Sequence, residues 1–155
     1  MGYYTFLERS IERAFLGILM GRYEHSDRRV RPLVAIRSEA VAQRVVAGGK
    51  SYADWIPYRY TKGRADAFFS AGRPFSELAG GDVAVLEQLA TMRNAIAHES
   101  AYSVRRFRSV FTAGKALRPS ELTPSGYLRG KHAIDQTRLN FLFSQGVDIV
   151  SRLLG

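Results

Sequence analysis

Apolar residues recur at helical spacing over most of this chain. Between Tyr4 and Arg22 they fall at Leu7, Ile11, Ala14, Phe15, Ile18 and Leu19, which predicts a first helix loosened at its end by Gly21. A second helix is expected from Pro32, placed for a first helical turn, through Leu33, Ile36, Val41 and Val45 to a stop at Gly48 and Gly49. The aromatic stretch from Lys50 to Gly63 keeps no period and reads as an ordered loop, followed by a short helix from Arg64 to Ala71 that Gly72 and Pro74 end. Gly80, Gly81 and Asp82 form a turn and N-cap ahead of a long helix. Its stripe runs Leu86, Leu89, Ala90, Arg93, Ile96 and Ala97, and it ends near His98. Val104, Phe107 and Phe111 mark one further helix. Leu117 to Gly130 holds two prolines and two glycines and reads as a loop, and apolar positions from Ile134 to Leu153 predict a closing helix. With no strand alternation and no internal repeat, the expected fold class is all-α: a single domain over residues 1–155, built as a bundle of four to six helices.

Composition narrows the function classes. At 155 residues with nine Phe, eight Tyr and 46% hydrophobic positions, the chain has enough apolar surface to offset chain entropy, which excludes intrinsic disorder. No run approaches the roughly 18 apolar residues of a membrane span. The amino terminus, with Tyr3, Tyr4 and Glu8 ahead of any apolar run, lacks the basic start of a secretory signal, so a cytoplasmic location without membrane contact is expected. The absence of cysteine removes disulfides, thiolate metal sites and a cysteine nucleophile. The 23 basic against 14 acidic side chains give a net charge of +9 and point to a polyanionic partner, nucleic acid first. Most of the basic residues are Arg, whose planar fork suits phosphate.

One position breaks the pattern. At about 100° per residue Arg93 lies near the centre of the stripe formed by Leu86, Leu89, Ala90 and Ala97, so its guanidinium needs a carboxylate, a carbonyl or an anionic ligand. Glu8, Glu12 and Asp148 are the carboxylates a structural role would use. Asn94 and His98, four apart on the flank of the same helix, stand within reach of whatever Arg93 faces. The run Met92-Arg93-Asn94-Ala95-Ile96-Ala97-His98 resembles the R-polar-x-x-x-H motif of the HEPN superfamily (higher eukaryotes and prokaryotes nucleotide-binding domain). In that resemblance Arg93 is the motif arginine, Asn94 the polar residue after it and His98 the motif histidine. It implies an α-helical bundle of about this size and metal-independent ribonuclease activity in a homodimer, plausible for a toxin or defence effector restrained by an antitoxin or other inhibitory partner. Specific similarity covers about ten residues. One toxin branch carries a tyrosine two positions after the histidine; here Ser100 occupies that position and the next tyrosine is Tyr102.

RNA cleaves itself when its 2′-hydroxyl is deprotonated and attacks the adjacent phosphorus while the 5′-oxygen receives a proton. That step uses a histidine for acid or base work and a fixed cation for the phosphorane, roles suited to His98 and Arg93, with Asn94 orienting phosphate or imidazole. One histidine does not easily serve as both acid and base, so two copies apposing their motif helices give a composite site. Arg105, Arg106 and Arg108 are the expected RNA-binding cluster because they follow the motif within about ten residues, with Arg28, Arg29 and Arg31 as a second basic group; a solvated basic face explains either equally well. Tyr52, Trp55, Tyr58 and Tyr60 are candidates for base stacking or for packing into the domain. His25 and His132 are expected to be solvated. Paired metal-ligand spacing and phosphate-cradling loops are absent, so neither a metal nor another cofactor is expected. The competing readings are a non-catalytic HEPN-like nucleic-acid-binding, nucleotide-binding or scaffolding module, and a basic helical DNA-binding regulator.

Overall fold

In the computed structural model, residues 2–98 and 100–155 are described. The all-α class holds, but among the described residues there are seven α-helices rather than four to six, joined by short 3₁₀ turns and one two-stranded ladder, because the 117–130 connection also folds into a helix. In chain order the helices are α1 (Gly2–Leu19), α2 (Glu39–Ala47), α3 (Tyr58–Phe68), α4 (Gly80–Ala97), α5 (Ala101–Phe107), α6 (Pro124–Arg129) and α7 (Arg138–Leu154). Strands β1 (Lys131–Ala133) and β2 (Gln136–Thr137) pair antiparallel between α6 and α7. Among the described residues no helix is long and apolar enough to cross a membrane.

The first helix follows its apolar stripe. Leu7, Ile11, Ala14, Phe15 and Ile18 are all buried, and Gly21 leaves the helix at φ 67°, a conformation that favours glycine. Phe15 sits among Trp55, Phe69 and Phe75 with ring centroids 4.8–5.0 Å apart. This aromatic cluster joins α1 to the connections on either side of α3. Helix α7 lies along α1 and buries Ile149, Val150 and Leu153 in the same core. Gly146 of α7 gives up helix propensity where Leu7 of α1 and Leu89 of α4 press on its backbone; an added Cβ would stand 2.8 Å from the Leu7 Cδ1.

Four expectations from the pattern are corrected. The second helix begins at Glu39, not Pro32, because residues 31–33 are zipped to 68–70: the Leu33 N–H donates to the Phe68 carbonyl at 2.8 Å and the Ser70 N–H to that of Arg31 at 2.9 Å. Those backbone groups are thereby taken from a helix. Helix α3 begins at Tyr58, inside the stretch read as loop, and ends at Phe68. Its hidden core face is Tyr58, Thr61 and Ala65, and the Thr61 hydroxyl donates to the Trp55 carbonyl at 2.6 Å. The 117–130 segment is not only loop. It holds a 3₁₀ turn at Pro119–Leu122 and α6, where the Thr123 hydroxyl accepts the Gly126 N–H. The closing helix starts at Arg138, capped by the Thr137 hydroxyl, while Ile134 is left 86% exposed in the tight turn between β1 and β2.

A second, smaller core contains Met92, Ala95, Phe107, Phe111, Tyr127 and Leu142. Helix α5 enters it through Phe107 and then widens into a π-helical turn, Arg108–Thr112, closed by the Ala113 N–H on the Arg108 carbonyl at 2.9 Å. Phe111, four residues on, stacks beside Phe107 with ring centroids 5.5 Å apart. Helix α4 spans both cores. Leu86 and Ala90 belong to the first, Met92 and Ala95 to the second. Ala90 and Ala95 lie about 140° apart around a helix of 100° per residue, so the buried face turns along the length of α4.

Removing the ring that knits the first core should be costly. Phe15→Ala is expected to lower unfolding free energy by about 3–5 kcal/mol in a urea titration, because the surrounding rings cannot fully close the space.

Candidate functional site

Where the buried face of α4 turns, Arg93 is left on the seam between the cores. It is half-buried, not central to a sealed stripe, so the expected carboxylate partner is not required. None of the ion pairs among the described residues involves Arg93, and neither Glu12 nor Asp148 meets it. The guanidinium lies 5.6 Å from the centroid of the Tyr4 ring, a cation–π placement from α1. Its Nη1 donates to Asn94 Oδ1 at 3.0 Å and stands 3.4 Å from His98 Nε2. A guanidinium only donates, so a hydrogen bond at this contact uses His98 Nε2 as the acceptor. Among the described residues the other Arg93 nitrogens, Nε and Nη2, make no hydrogen bonds.

His98 ends α4. Its backbone N–H donates to the Asn94 carbonyl at 2.9 Å while its φ of −130° turns the chain out of the helix. Asn94 is thus held through its carbonyl to His98 and through its side chain to Arg93. Only two positions beyond His98, Ser100 caps α5 by accepting the Ser103 N–H at 3.2 Å. The close succession of helix end and helix start folds α5 back beside the last turns of α4.

Between these elements and the start of α3 lies a groove of about 700 Å³. Asn94 and His98 form part of its wall, with Glu87 and Thr91 below them on α4. Tyr102, Ser103 and Arg106 contribute from α5, and Arg59 from α3. Arg93 borders this groove through its contacts and itself faces a smaller apolar cleft with Tyr3, Tyr4, Leu139 and Phe143. Of the expected RNA-binding cluster, the groove takes Arg106 alone. Arg105 and Arg108 are exposed on other faces of the helical turn that carries them.

Other candidates are placed elsewhere. Arg29 is engaged bidentately by Asp27, and Arg31 donates to the Arg28 carbonyl, so Arg29 and Arg31 are tied to their own loop. Trp55 and Tyr58 are 3% and 1% exposed and closed to stacking; Tyr52 and Tyr60 remain exposed. His25 is not simply solvated, since its Nδ1 accepts the Asp27 N–H at 3.0 Å and its Nε2 is buried. His132 is exposed yet stacks on Phe141, centroids 3.6 Å apart. Among the described residues no group of three or more His, Asp or Glu has metal-holding geometry.

Arg59 and Glu87 escaped the sequence reading because the first turns of α3 read as loop there. Glu87 Oε1 accepts the N–H of Tyr58, the first residue of α3, at 2.9 Å. A side chain of α4 thus anchors the start of α3, which brings Arg59 to the groove. The signal in the sequence was Pro57, a residue suited to a helix start.

Glu8 adds a half-buried carboxyl close to Tyr4 and Arg93. Burial pushes its carboxyl above the usual range, while the amides of Ile56 and Trp55 and the positive charge of Arg93 pull it back only partly. The Tyr4 hydroxyl donates to the Ile56 carbonyl at 3.1 Å, and burial raises its own pKa too. Helix α1, the 55–56 segment and the Arg93 corner are therefore one connected network.

Comparison with protein-family models, curated proteins and solved structures finds no match to this chain. The functional reading therefore rests on the site itself.

The Glu8 shift has a testable sign. Folded Glu8 keeps its proton to higher pH than an unfolded glutamate, so its contribution to stability is complete below the unfolded value, about 4.3, and is lost as pH rises through the folded value. Glu8→Gln cannot ionise. It should melt above the parent at pH 7 and level with it well below about pH 4. Thermal melts at both pH values check this, and a lower melting temperature at pH 7 would mean that the amide contacts outweigh burial.

Proposed function

We propose that this chain is a HEPN-like, metal-independent endoribonuclease that cleaves RNA through 2′-hydroxyl attack. One observation carries the reading: Arg93, Asn94 and His98 converge within hydrogen-bond range at the end of α4, beside a groove flanked by Arg59 and Arg106. In the proposed reaction one imidazole takes the 2′-hydroxyl proton. The 2′-oxygen bonds to phosphorus, the bond from phosphorus to the 5′-oxygen breaks, and a second acid protonates the leaving oxygen. Products carry a 2′,3′-cyclic phosphate and a 5′-hydroxyl. The Nε and Nη2 donors of Arg93, which make no hydrogen bond among the described residues, are suited to the phosphorane oxygens. Turning toward phosphate, Arg93 releases His98 Nε2 for proton transfer.

A homodimer is part of the proposal, because each chain supplies one motif histidine. The apolar cleft beside Arg93 supports it: Tyr3, Phe6 and Ile96 are 49%, 54% and 38% exposed there or close by, a suitable face for a second copy. His98 of the partner subunit would then act as the acid. The activity fits a toxin or defence effector in the cytoplasm, held in check by an inhibitory antitoxin or regulatory partner.

A second reading is favoured by the same corner. The Arg93 guanidinium already has the Tyr4 ring, Asn94 and His98 as internal partners, as a purely structural helix end would. On that reading the chain is a non-catalytic HEPN-like module that binds nucleic acid or nucleotide, or scaffolds a partner.

Incubation of the pure protein with RNA in EDTA tests the first reading. Cleavage is expected to persist, to leave cyclic phosphate ends and to spare a 2′-deoxy linkage. His98→Ala should change stability by only about 1 kcal/mol and lower cleavage at least ~10²-fold while binding RNA as the parent does. If that folded variant cuts as well as the parent, His98 is structural and the non-catalytic module stands.

Arg106→Ala should weaken RNA affinity and flatten its dependence on salt by about one counterion, and the double change of Arg105 and Arg108 to Ala should do less. Fluorescence anisotropy across a salt series measures the slope.

A further inference from the structure

The groove beside His98 contains one group of the wrong sign for a phosphate site. Glu87 stands on the same face of α4 as Asn94, seven residues and therefore about 10 Å along the helix axis from it. It is half-buried and cannot swing away, because its Oε1 is held by the Tyr58 N–H at 2.9 Å. Among the described residues its Oε2 accepts no hydrogen bond. A fixed carboxylate repels phosphate and takes N–H donors, whereas Arg59 and Arg106 in the same groove attract the backbone. The groove thus offers an acceptor for a base edge at Glu87 and cations for phosphate at Arg106 and at Arg59, the residue after the Tyr58 that Glu87 holds.

The four RNA bases differ in what their Watson–Crick edges offer a carboxylate. Guanine presents two adjacent donors, N1–H and the 2-amino group. Adenine and cytosine place a single amino donor next to a ring-nitrogen acceptor, and uracil sets one N–H between two carbonyl oxygens. A carboxylate oxygen has two lone pairs, so Glu87 can keep the Tyr58 N–H on Oε1 and still accept a parallel pair of donors through both oxygens. Tyr102, 71% exposed at the rim, supplies an aromatic face for the base. From this geometry we infer that the groove is selective for a guanine nucleotide, with Glu87 reading the base. The inference rests on the reading of this groove as a nucleotide site and adds which base it takes.

The test uses the four nucleoside 3′-monophosphates and the inosine analogue, which lacks the 2-amino group, titrated into the full chain by calorimetry. Guanosine 3′-monophosphate is expected to bind at least ~10-fold tighter than the adenosine, cytidine and uridine compounds, with inosine between, as expected for hydrogen bonds to a charged group. Glu87→Gln retains a carbonyl oxygen for the Tyr58 N–H but presents an amino group where Oε2 stood. It should keep the parent melting temperature and lose the preference for guanosine. Equal binding of all four nucleotides, no binding of any, or a guanosine preference unchanged in a folded Glu87→Gln protein would overturn the inference. The panel on the parent chain decides even where the variant fails to fold. Parallel incubation with RNA separates the two readings: guanosine preference without cleavage removes only the ribonuclease, and cleavage without base preference removes only the guanine selectivity.

Discussion

Helix α4 has to bury two different faces along its length, and much of the structure follows from how it does so. Its first half packs Leu86 and Ala90 against the aromatic core organised around Phe15; its second half packs Met92 and Ala95 against Phe107, Phe111 and Tyr127. A straight helix can do this only if its apolar stripe shifts around the axis. At the shift there is a position that is neither core nor open solvent, and Arg93 occupies it. A long side chain with an apolar stem and a charged head suits such a seam.

The seam also explains why the corner tolerates a charge that has no ion pair among the described residues. A carboxylate at contact distance would hold the guanidinium tightly and occupy its fork. Here the Tyr4 ring stands against it and the Asn94 amide oxygen takes one nitrogen, so the charge is stabilised while, among the described residues, Nε and Nη2 make no hydrogen bond. Glu8 contributes at longer range, through Tyr4, and is itself desolvated by the same packing. The end of α4 therefore combines a positioned cation, a positioned imidazole and a neighbouring groove. The groove beside it adds Arg59 and Glu87 to these groups.

Local patterning carried well where an element's buried face stays constant. The α1 stripe, the α4 span and the position of α7 from Leu139 onward were legible because apolar residues three and four apart align on one side of a helix and scatter over both faces of a strand. Patterning failed where backbone groups found partners far along the chain. Pro32 to Arg37 has the residues of a helix start, yet Leu33 and Ser70 donate their N–H groups to the 68 and 31 carbonyls instead. Only the second half of helix α3, from Arg64, was legible, because its core face is Tyr58, Thr61 and Ala65, in which a hydroxyl and a methyl stand where leucines would advertise a helix. The short α6 depends on the Thr123 cap and on Arg138 of α7, whose Nη1 donates to Glu121 at 2.7 Å and to the Tyr127 carbonyl at 3.2 Å.

By itself, then, the sequence determined the helical class, the main stripes and the chemistry available at Arg93, Asn94 and His98, because residue identity and helical period are local properties. The tertiary structure alone decided which groups share a surface. It turned the buried face of α4 so that Arg93 leans on Tyr4, folded α5 back so that Arg106 and Tyr102 reach the groove while Arg105 and Arg108 do not, and used Glu87 to seat α3 and deliver Arg59. Those outcomes depend on contacts between residues up to 89 positions apart, Tyr4 and Arg93 among them, and the energy of such contacts is set by packing and desolvation that no local pattern records.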